Sequence, residues 1–413
     1  MPTKDTNGDL KKAALKYHAD APAGKIGIVP TKHLRGKKDL ALAYTPGVVY
    51  PCLEIKENVE RAYDYTSKGN TIAILTDGSR ILGLGNIGPE AGLPVMEGKS
   101  LLFKMLGDVD AIPICVRSQD TQRIVDTMVD ISPGFGGVNV EDIKHPRCFE
   151  VEETLERRLD IPIFHDDQHG TAVVTLAGLM NAFKVTGRKL RDARIVVNGA
   201  GAAGRGITKL LLHAGARDVI VIDTKGPLYE GRAGMDRFKA ELAMHTNPDR
   251  RNGGLENVMI DADVFIGASS AGLLDPKLVR VMNDKPIVFA LANPVPEIDP
   301  LEAKRAGAAV VGTGSSRYAN QINNVLAFPG MMRGMLDVRA KRINDEMKLA
   351  AAQAIADSVK PTAERVVPDA RTVVAHKVAA AVAKAAESTG AARKGIGGLK
   401  KYEKSVYDRI AAR

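Results

Sequence analysis

Tryptophan is missing from this sequence, and 9 Tyr with 9 Phe leave only 4% aromatic residues in a chain of 413. Proteins that grip single-stranded nucleic acid stack bases on such rings, so that class starts weak. Cysteine is scarce too. Cys52, Cys115 and Cys148 lie far apart, are odd in number and form no Cys-x-x-Cys. This argues against a disulfide framework or a thiolate zinc site and fits a reducing cytoplasm. No run approaches the roughly 20 apolar residues of a membrane span. Met1–Leu10 is too polar for a secretory signal. What is present is the balance of a folded globular chain, 45% hydrophobic and 26% charged, long enough for two or three domains.

The net charge of +9 is unevenly placed. Residues 1–38 hold nine Lys or Arg against three Asp, and residues 390–413 hold seven against two acids, so the middle is nearly neutral. Basic ends are ordinarily solvated faces; polyanion binding is the alternative they raise.

From residue 70 short β-branched runs alternate with helical spacing. Strands are expected at Thr71–Thr76, Ala111–Val116, Gly137–Val140 and Ile161–Phe164. Helices are expected at Gly98–Leu106, Thr121–Asp130 and Phe149–Leu159. A helical segment from about Gly170 to Val185 leads to a second series, with strands near Arg194–Val197, Val219–Ile222, Val264–Ile266, Ile287–Ala290 and Ala309–Val311. Beyond Pro329 only helical stretches follow, Ala-rich at Lys348–Val359 and Val373–Ala386. Such alternation implies parallel βαβ units with chemistry at the carboxyl ends of the strands. The expected fold class is α/β: an N-terminal parallel-sheet domain over 1–164, a Rossmann-type domain over 165–330, and a helical C-terminal segment over 331–413.

Between the strand ending at Val197 and the next helix stands Gly199-Ala200-Gly201-Ala202-Ala203-Gly204, a G-x-G-x-x-G in its proper context. Glycines there let backbone N–H groups approach a pyrophosphate at the positive end of a helix. Asp223 ends the next strand, 19 residues after Gly204, where an acid can bind a ribose 2′-OH. It tilts the cofactor toward NAD, whereas nearby Lys225 and Arg232 could accept the 2′-phosphate of NADP. Asn293, after a later strand, is positioned for the same crevice.

Glu141 and Asp142 follow one strand, and Asp166 and Asp167 follow another. If those strands are neighbours, four carboxylates converge, and a hard divalent cation would relieve their repulsion. Oxygen ligands suit Mg2+ or Mn2+ better than zinc, despite His165 and His169. Tyr44 sits in Tyr-Thr-Pro-Gly, Lys99 behind a Gly/Pro-rich loop at a helix entrance, and Arg80 beyond the first strand. On composition alone these are a packed Tyr, a solvated Lys and a surface Arg. A lysine base would need its pKa lowered from about 10.4.

Together the segments Ala43–Val48, Thr76–Gly85, Gly92–Lys99, Val140–Ile143, Ile163–Ala172, Phe289–Pro294 and Asn323–Pro329 resemble the malic enzyme family in its order. The length resembles the short prokaryotic form, without a phosphotransacetylase-like extension. The resemblance implies oxidative decarboxylation of L-malate to pyruvate and CO2, with NAD or NADP reduced and Mg2+ or Mn2+ bound. It implies Lys99 as general base, Tyr44 as general acid and Asp166 as the residue orienting the lysine. Glu141, Asp142 and Asp167 become metal ligands. Arg80, Asn293, Asn323 and Asn324 become substrate or nicotinamide contacts. It further implies a homodimer or larger homo-oligomer, in which a neighbour can complete the site, and no nucleic-acid or membrane partner. Two details depart from the pattern: Arg317, in Gly314-Ser-Ser-Arg-Tyr318, replaces an acid, and Phe328-Pro-Gly330 replaces Phe-Pro-Phe. A malolactic-type enzyme and a metal-independent amino-acid dehydrogenase are the alternative enzyme readings.

Overall fold

Burial starts abruptly at Thr71. The structure, a computed structural model, describes residues 4–370 and 372–413, so Met1–Thr3 of the polar opening lie outside it. None of residues 8–70 is buried. This stretch carries the helices Lys4–Ala19, Lys37–Ala43 and Val49–Glu57, which the Gly/Pro-interrupted sequence did not suggest. Then β1 (Thr71–Thr76) is buried at all six positions, as a central strand covered on both faces must be.

β1 pairs in parallel with β2 (Asp110–Cys115) and β3 (Gly137–Val140), and β3 pairs with β4 (Ile163–His165), giving the order β2-β1-β3-β4. The second sheet contains β5 (Arg194–Asn198), β6 (Asp218–Asp223), β7 (Gly226–Pro227), β8 (Val264–Gly267), β9 (Ile287–Ala290) and β10 (Val310–Thr313). Its order is β10-β9-β8-β5-β6-β7, with only the short β7 antiparallel. The order reverses at β5, which lies between β6 and β8; ligands of such sheets bind outside the carboxyl ends near that reversal. The expected α/β class and both parallel sheets are present.

The helix Asp166–Thr186 joins the sheets. It starts directly after β4 and not at Gly170, because Asp166 and Asp167 supply the negative charge its first turn favours. It ends at Gly187, in the left-handed region with φ 76°. Val173, Leu176, Leu179 and Phe183 bury it on nearly every side, against the helices Ala202–His213 and Asp345–Ala356. Residues 164–170, where the sequence placed the domain boundary, are thus the end of β4 and the first turn of this helix.

The segment after Pro329 is helical, as expected: Phe328–Asp337, Asp345–Ala356, Ala375–Ser388 and a last helix, Leu399–Ala411, for which the sequence suggests no bounds. Gly330 and Gly334 stack on one face of the first of these. A Cβ there would lie 2.6 Å from the Ala375 and Ala379 carbonyl oxygens. The departure at Phe328-Pro-Gly330 therefore has a packing cause: no phenylalanine fits where two helix backbones touch. Among the described residues no helix is long and apolar enough to cross a membrane.

Candidate active site

The register fixes the site. Leu75 pairs with Val140 and Val140 with His165, so the residues that follow, Thr76, Glu141 and Asp166, emerge at one edge. The Glu141 N–H donates to the Leu75 carbonyl at 2.9 Å, extending the ladder by one residue before the chain turns. Asp142 then adopts φ 52° and its N–H donates to Asp167 Oδ2 at 3.2 Å. The four acids thus stand at the ends of two neighbouring strands.

Lys99 enters from the opposite side. Its helix runs from Pro89 to Gly107, so the lysine stands mid-helix and not at a helix entrance; the Gly/Pro-rich run Gly92–Gly98 is itself helical. Its ammonium lies 2.5 Å from Asp166 Oδ2, 2.9 Å from Glu141 Oε1 and 4.3 Å from the centre of the Phe328 ring. Asn324 Nδ2 donates to the same Asp166 oxygen at 2.5 Å, and Asn139 Nδ2 donates to Glu141 Oε2 at 2.8 Å. Asp166 owes its place to Gly170: a Cβ at 170 would lie 1.9 Å from Asp166 Oδ1.

The charge balance is strained. Burial would lower the Lys99 pKa, but Asp166 and Glu141 outweigh it and raise the ammonium above the ordinary lysine value. The lowered pKa expected of a base is therefore absent, because the lysine itself compensates two carboxylates. Burial, with repulsion from Asp166 and Asp167, raises Glu141 to about 7 despite Lys99. Burial and the neighbouring Asp167 and Glu141 raise Asp142 to about 9. Asp167 goes the other way: burial would raise it, but His165 holds it down, and the His165 imidazole is raised to about 10 against the cost of its own burial. As the side chains stand, no group of three or more His, Cys, Asp or Glu among the described residues is gathered to hold a metal ion.

The other expected residues divide. Arg80 is near: its N–H donates to the Asp142 carbonyl at 3.0 Å, while its guanidinium is turned to the Leu82 carbonyl at 2.8 Å. Asn293 is exposed beyond β9, with its side chain against Gly314, where a Cβ would lie 2.5 Å from Nδ2. Of the asparagine pair only Asn324 reaches the acids. Asn323 accepts the Val325 N–H at 2.9 Å and so caps a short helical turn. Tyr44 is not brought to Lys99. It is 66% exposed and, among the described residues, its side chain makes no hydrogen bond, ion pair or ring contact. Arg317 is exposed on the loop after β10.

The glycine-rich turn is closely packed. Gly199 has φ 128°, and a Cβ there would lie 2.4 Å from the Ala268 carbonyl; one at Gly204 would lie 1.7 Å from the Gly199 carbonyl. The turn opens the helix Ala202–His213, whose N-terminus carries the partial positive charge. Both glycines are therefore structural necessities of this tight turn. His145, three residues beyond Asp142, lies beside Gly201, and Gly83 approaches Pro294, so loops of the first sheet touch the glycine-rich turn and the loop after β9.

Three features escaped the sequence reading. Phe328 covers the lysine. Glu297, fully buried, accepts the Ser269 N–H at 3.2 Å and the Ala292 N–H at 3.0 Å, tying the loops after β8 and β9 together. Glu152, also buried, contacts His165, Gln168 and His169, and Gln168 Oε1 accepts from Arg205 of the helix that the glycine-rich turn opens at 3.0 Å. Only a buried-acid pattern on a helix, Glu152 flanked by Val151 and Leu155, could have signalled the last.

Two family models match the chain: the malic enzyme N-terminal domain over residues 23–156 and the malic enzyme NAD-binding domain over residues 168–387. The chain belongs to the malic enzyme family. It is 54% identical to the "Bifunctional malic/malolactic enzyme" of Bacillus subtilis, over 93% of this chain and 95% of that one. It is 49% identical to the "NAD-dependent malic enzyme" of Geobacillus stearothermophilus, over 90% of this chain and 78% of that one. The crystal structure of the malic enzyme from Pyrococcus horikoshii superimposes with a TM-score of 0.95 at 45% identity, covering 97% of this chain and 96% of that one. The α/β fold, the dinucleotide-binding domain and the helical C-terminus are those of the family.

Proposed function

We propose that this family member oxidatively decarboxylates L-malate to pyruvate and CO2 with reduction of NAD or NADP. The observation that carries the reading is the Lys99 ammonium, held by Asp166 and Glu141 at a carboxylate edge whose loops touch the dinucleotide cradle, the glycine-rich turn. As the neutral amine, after giving up the proton that Asp166 and Glu141 hold on it, Lys99 takes the C2 hydroxyl proton. Asp166 orients it, Asn324 orients Asp166, and Phe328 excludes water from the lysine. Arg80 offers a planar fork for a substrate carboxylate once it leaves Leu82. Asn293, exposed beyond β9, contacts the substrate or the nicotinamide end, and Asn323 holds the backbone turn that presents Asn324.

The donor set fits a hard divalent cation. Glu141, Asp142 and Asp167 are all-oxygen, adjacent and crowded enough to push two carboxyls up. These three would hold Mg2+ or Mn2+, which would supply Lewis-acid polarisation of the substrate's C2 oxygen. With Glu141 holding the cation, Lys99 would lose one of the two charges that hold its proton. The bound dinucleotide supplies the hydride acceptor.

Tyr44 acts as the general acid at C3, supplied to the site of a second copy. In its favour, residues 8–70 contain nothing buried, yet Ile28, Val29, Leu42, Tyr44 and Tyr50 are all exposed, an apolar surface suited to cover by another chain. The partner expected besides malate is thus this chain itself. Three free, separated thiols fit a reducing compartment such as the cytoplasm.

Absorbance of the reduced cofactor, followed alongside malate and pyruvate, tests the reaction. Equal formation of NAD(P)H and pyruvate is expected. Lactate without accumulated NAD(P)H would favour the malolactic reading, which the name of the Bacillus subtilis relative makes specific. Full activity after exhaustive chelation would reject the metal site.

A further inference from the structure

One guanidinium joins helices of both sheets. Arg205 stands on the first turn of the helix Ala202–His213, four residues after Gly201. Its side chain is only 8% exposed, and its partners come from three other helices. Nη1 donates to Gln168 Oε1 at 3.0 Å, on the helix Asp166–Thr186. Nη2 donates to Glu241 Oε2 at 3.0 Å, on the helix Arg237–Ala243. The same nitrogen lies 3.6 Å from Glu153 Oε1, on the helix Arg147–Arg158. The guanidinium carbon stands 4.8 Å from the centre of the Phe149 ring and 5.1 Å from that of Phe238. A planar fork on two partners with two aromatic rings against it is a built joint, which a lysine could not make.

The Gln168 arm of this joint leads to the acidic edge. A carboxamide has an acceptor end and a donor end, so its orientation is set by what lies at each. Arg205 holds Oε1, while Nε2 donates to buried Glu152 and lies 2.8 Å from His165 Nδ1. Across the same imidazole, His165 Nε2 lies 3.6 Å from Asp167 Oδ2, the oxygen that accepts the Asp142 N–H. Side chains thus run in contact from Arg205 through Gln168 and His165 to Asp167. Removing the guanidinium leaves Oε1 buried without a donor, and turning the amide over sets Oε1 against the Glu152 carboxylate. Either change loosens the group that backs His165.

We propose that Arg205, although it stands on the helix opened by the glycine-rich turn, is a positioning residue for the acidic edge: through Gln168 and His165 it fixes the Asp167 carboxylate. Its loss is then felt at the divalent cation more than at the dinucleotide. The inference rests on the reading of Glu141, Asp142 and Asp167 as metal ligands. The turn itself is shaped by glycine backbones packed on each other and on Ala268, and Arg205 donates from its side chain to Gln168 and Glu241, outside that turn.

Calorimetric titration of the full chain with Mn2+ alone, and separately with NAD+ and NADP+, tests this without relying on turnover. Arg205→Met keeps the apolar stem and loses the fork. It should weaken Mn2+ binding by about tenfold or more, as loss of a group behind a metal ligand does, and leave both dinucleotides nearly unchanged. Gln168→Leu cuts the same chain from a different helix and should weaken Mn2+ by a similar factor. The double variant should be no weaker than the worse single one, because both break one chain. Arg205→Lys keeps the charge without the fork, should fall between, and serves if the neutral variant fails to fold. Unchanged Mn2+ affinity in variants that melt cooperatively, losses confined to the dinucleotides, or losses that multiply in the double variant would each overturn the proposal while leaving the metal site standing. Absence of Mn2+ binding by the unaltered protein would overturn the metal reading, and the proposal with it.

Discussion

Two parallel sheets carry opposite charge balance at their carboxyl ends. At the end of β3 and β4, four carboxylates crowd around one lysine and one charged histidine, and burial with mutual repulsion lifts Asp142 to about 9. At the end of β6, one carboxylate carries two cationic side chains and is pulled down. Acid alone does not define a site: the same residue type at the same topological position is crowded by carboxylates on one sheet and paired with cations on the other. What differs is how many cationic side chains the surrounding loops bring in. The helix Arg237–Ala243 delivers Lys239 to Asp223, whereas β3 and β4 deliver more carboxylates to each other.

Removing the cation from the acidic edge breaks this contrast most severely. Lys99→Ala should lower malate oxidation by about 10²–10⁴-fold, the usual worth of a general acid–base group, with dinucleotide binding nearly unchanged because the cradle is built from another sheet. Steady-state rates and a cofactor titration check both halves. Near-normal turnover would remove Lys99 from the mechanism.

Removing one acid has a smaller effect. Asp167→Ala should raise the concentration of Mn2+ needed for half-maximal activity by about 10- to 100-fold while leaving a residual rate at saturating metal. An unchanged metal titration would move the metal elsewhere. Because Asp167 also accepts the Asp142 N–H, a thermal melt of the variant should accompany the titration, to show that the loop after β3 keeps its fold.

These contrasts were only partly legible beforehand. Buried parallel strands are continuous apolar runs, so β1 and β3 fall where the pattern puts them, and the acids after them follow from register. The cradle was legible because its glycines sit between a strand and a helix. The pairing of Asp223 with Lys239 was not legible, since Lys239 stands 16 residues away and is placed by a tertiary turn. Glu297 and Phe328 act through loops and helices that meet only in the fold. The helices before residue 71 lack an apolar face turned to any core within the chain, so no burial pattern announced them. Tyr44 lies in that stretch, which is why its motif was readable and its partner was not.

The smallest predicted effect is on stability. Glu141 at about 7 and Asp142 at about 9 both lie above their unfolded values of about 4. Burial and neighbouring carboxylates favour the protonated forms, so the folded chain keeps protons that the unfolded chain has lost. Their stabilising contribution is complete below the unfolded pKa and disappears as pH rises through about 7 and then about 9. In chelator, the melting temperature should therefore fall between about pH 6 and pH 9. Saturating Mn2+ reverses the preference, because it binds the ionised carboxylates, and should flatten the decline or turn it upward. The basic edge gives the internal control: the Asp223 carboxyl, held low, is ionised in both states throughout this range, so Arg232→Ala should leave the slope unchanged. A melting temperature equally steep with and without Mn2+ would show that the crowded carboxylates are not where the metal binds.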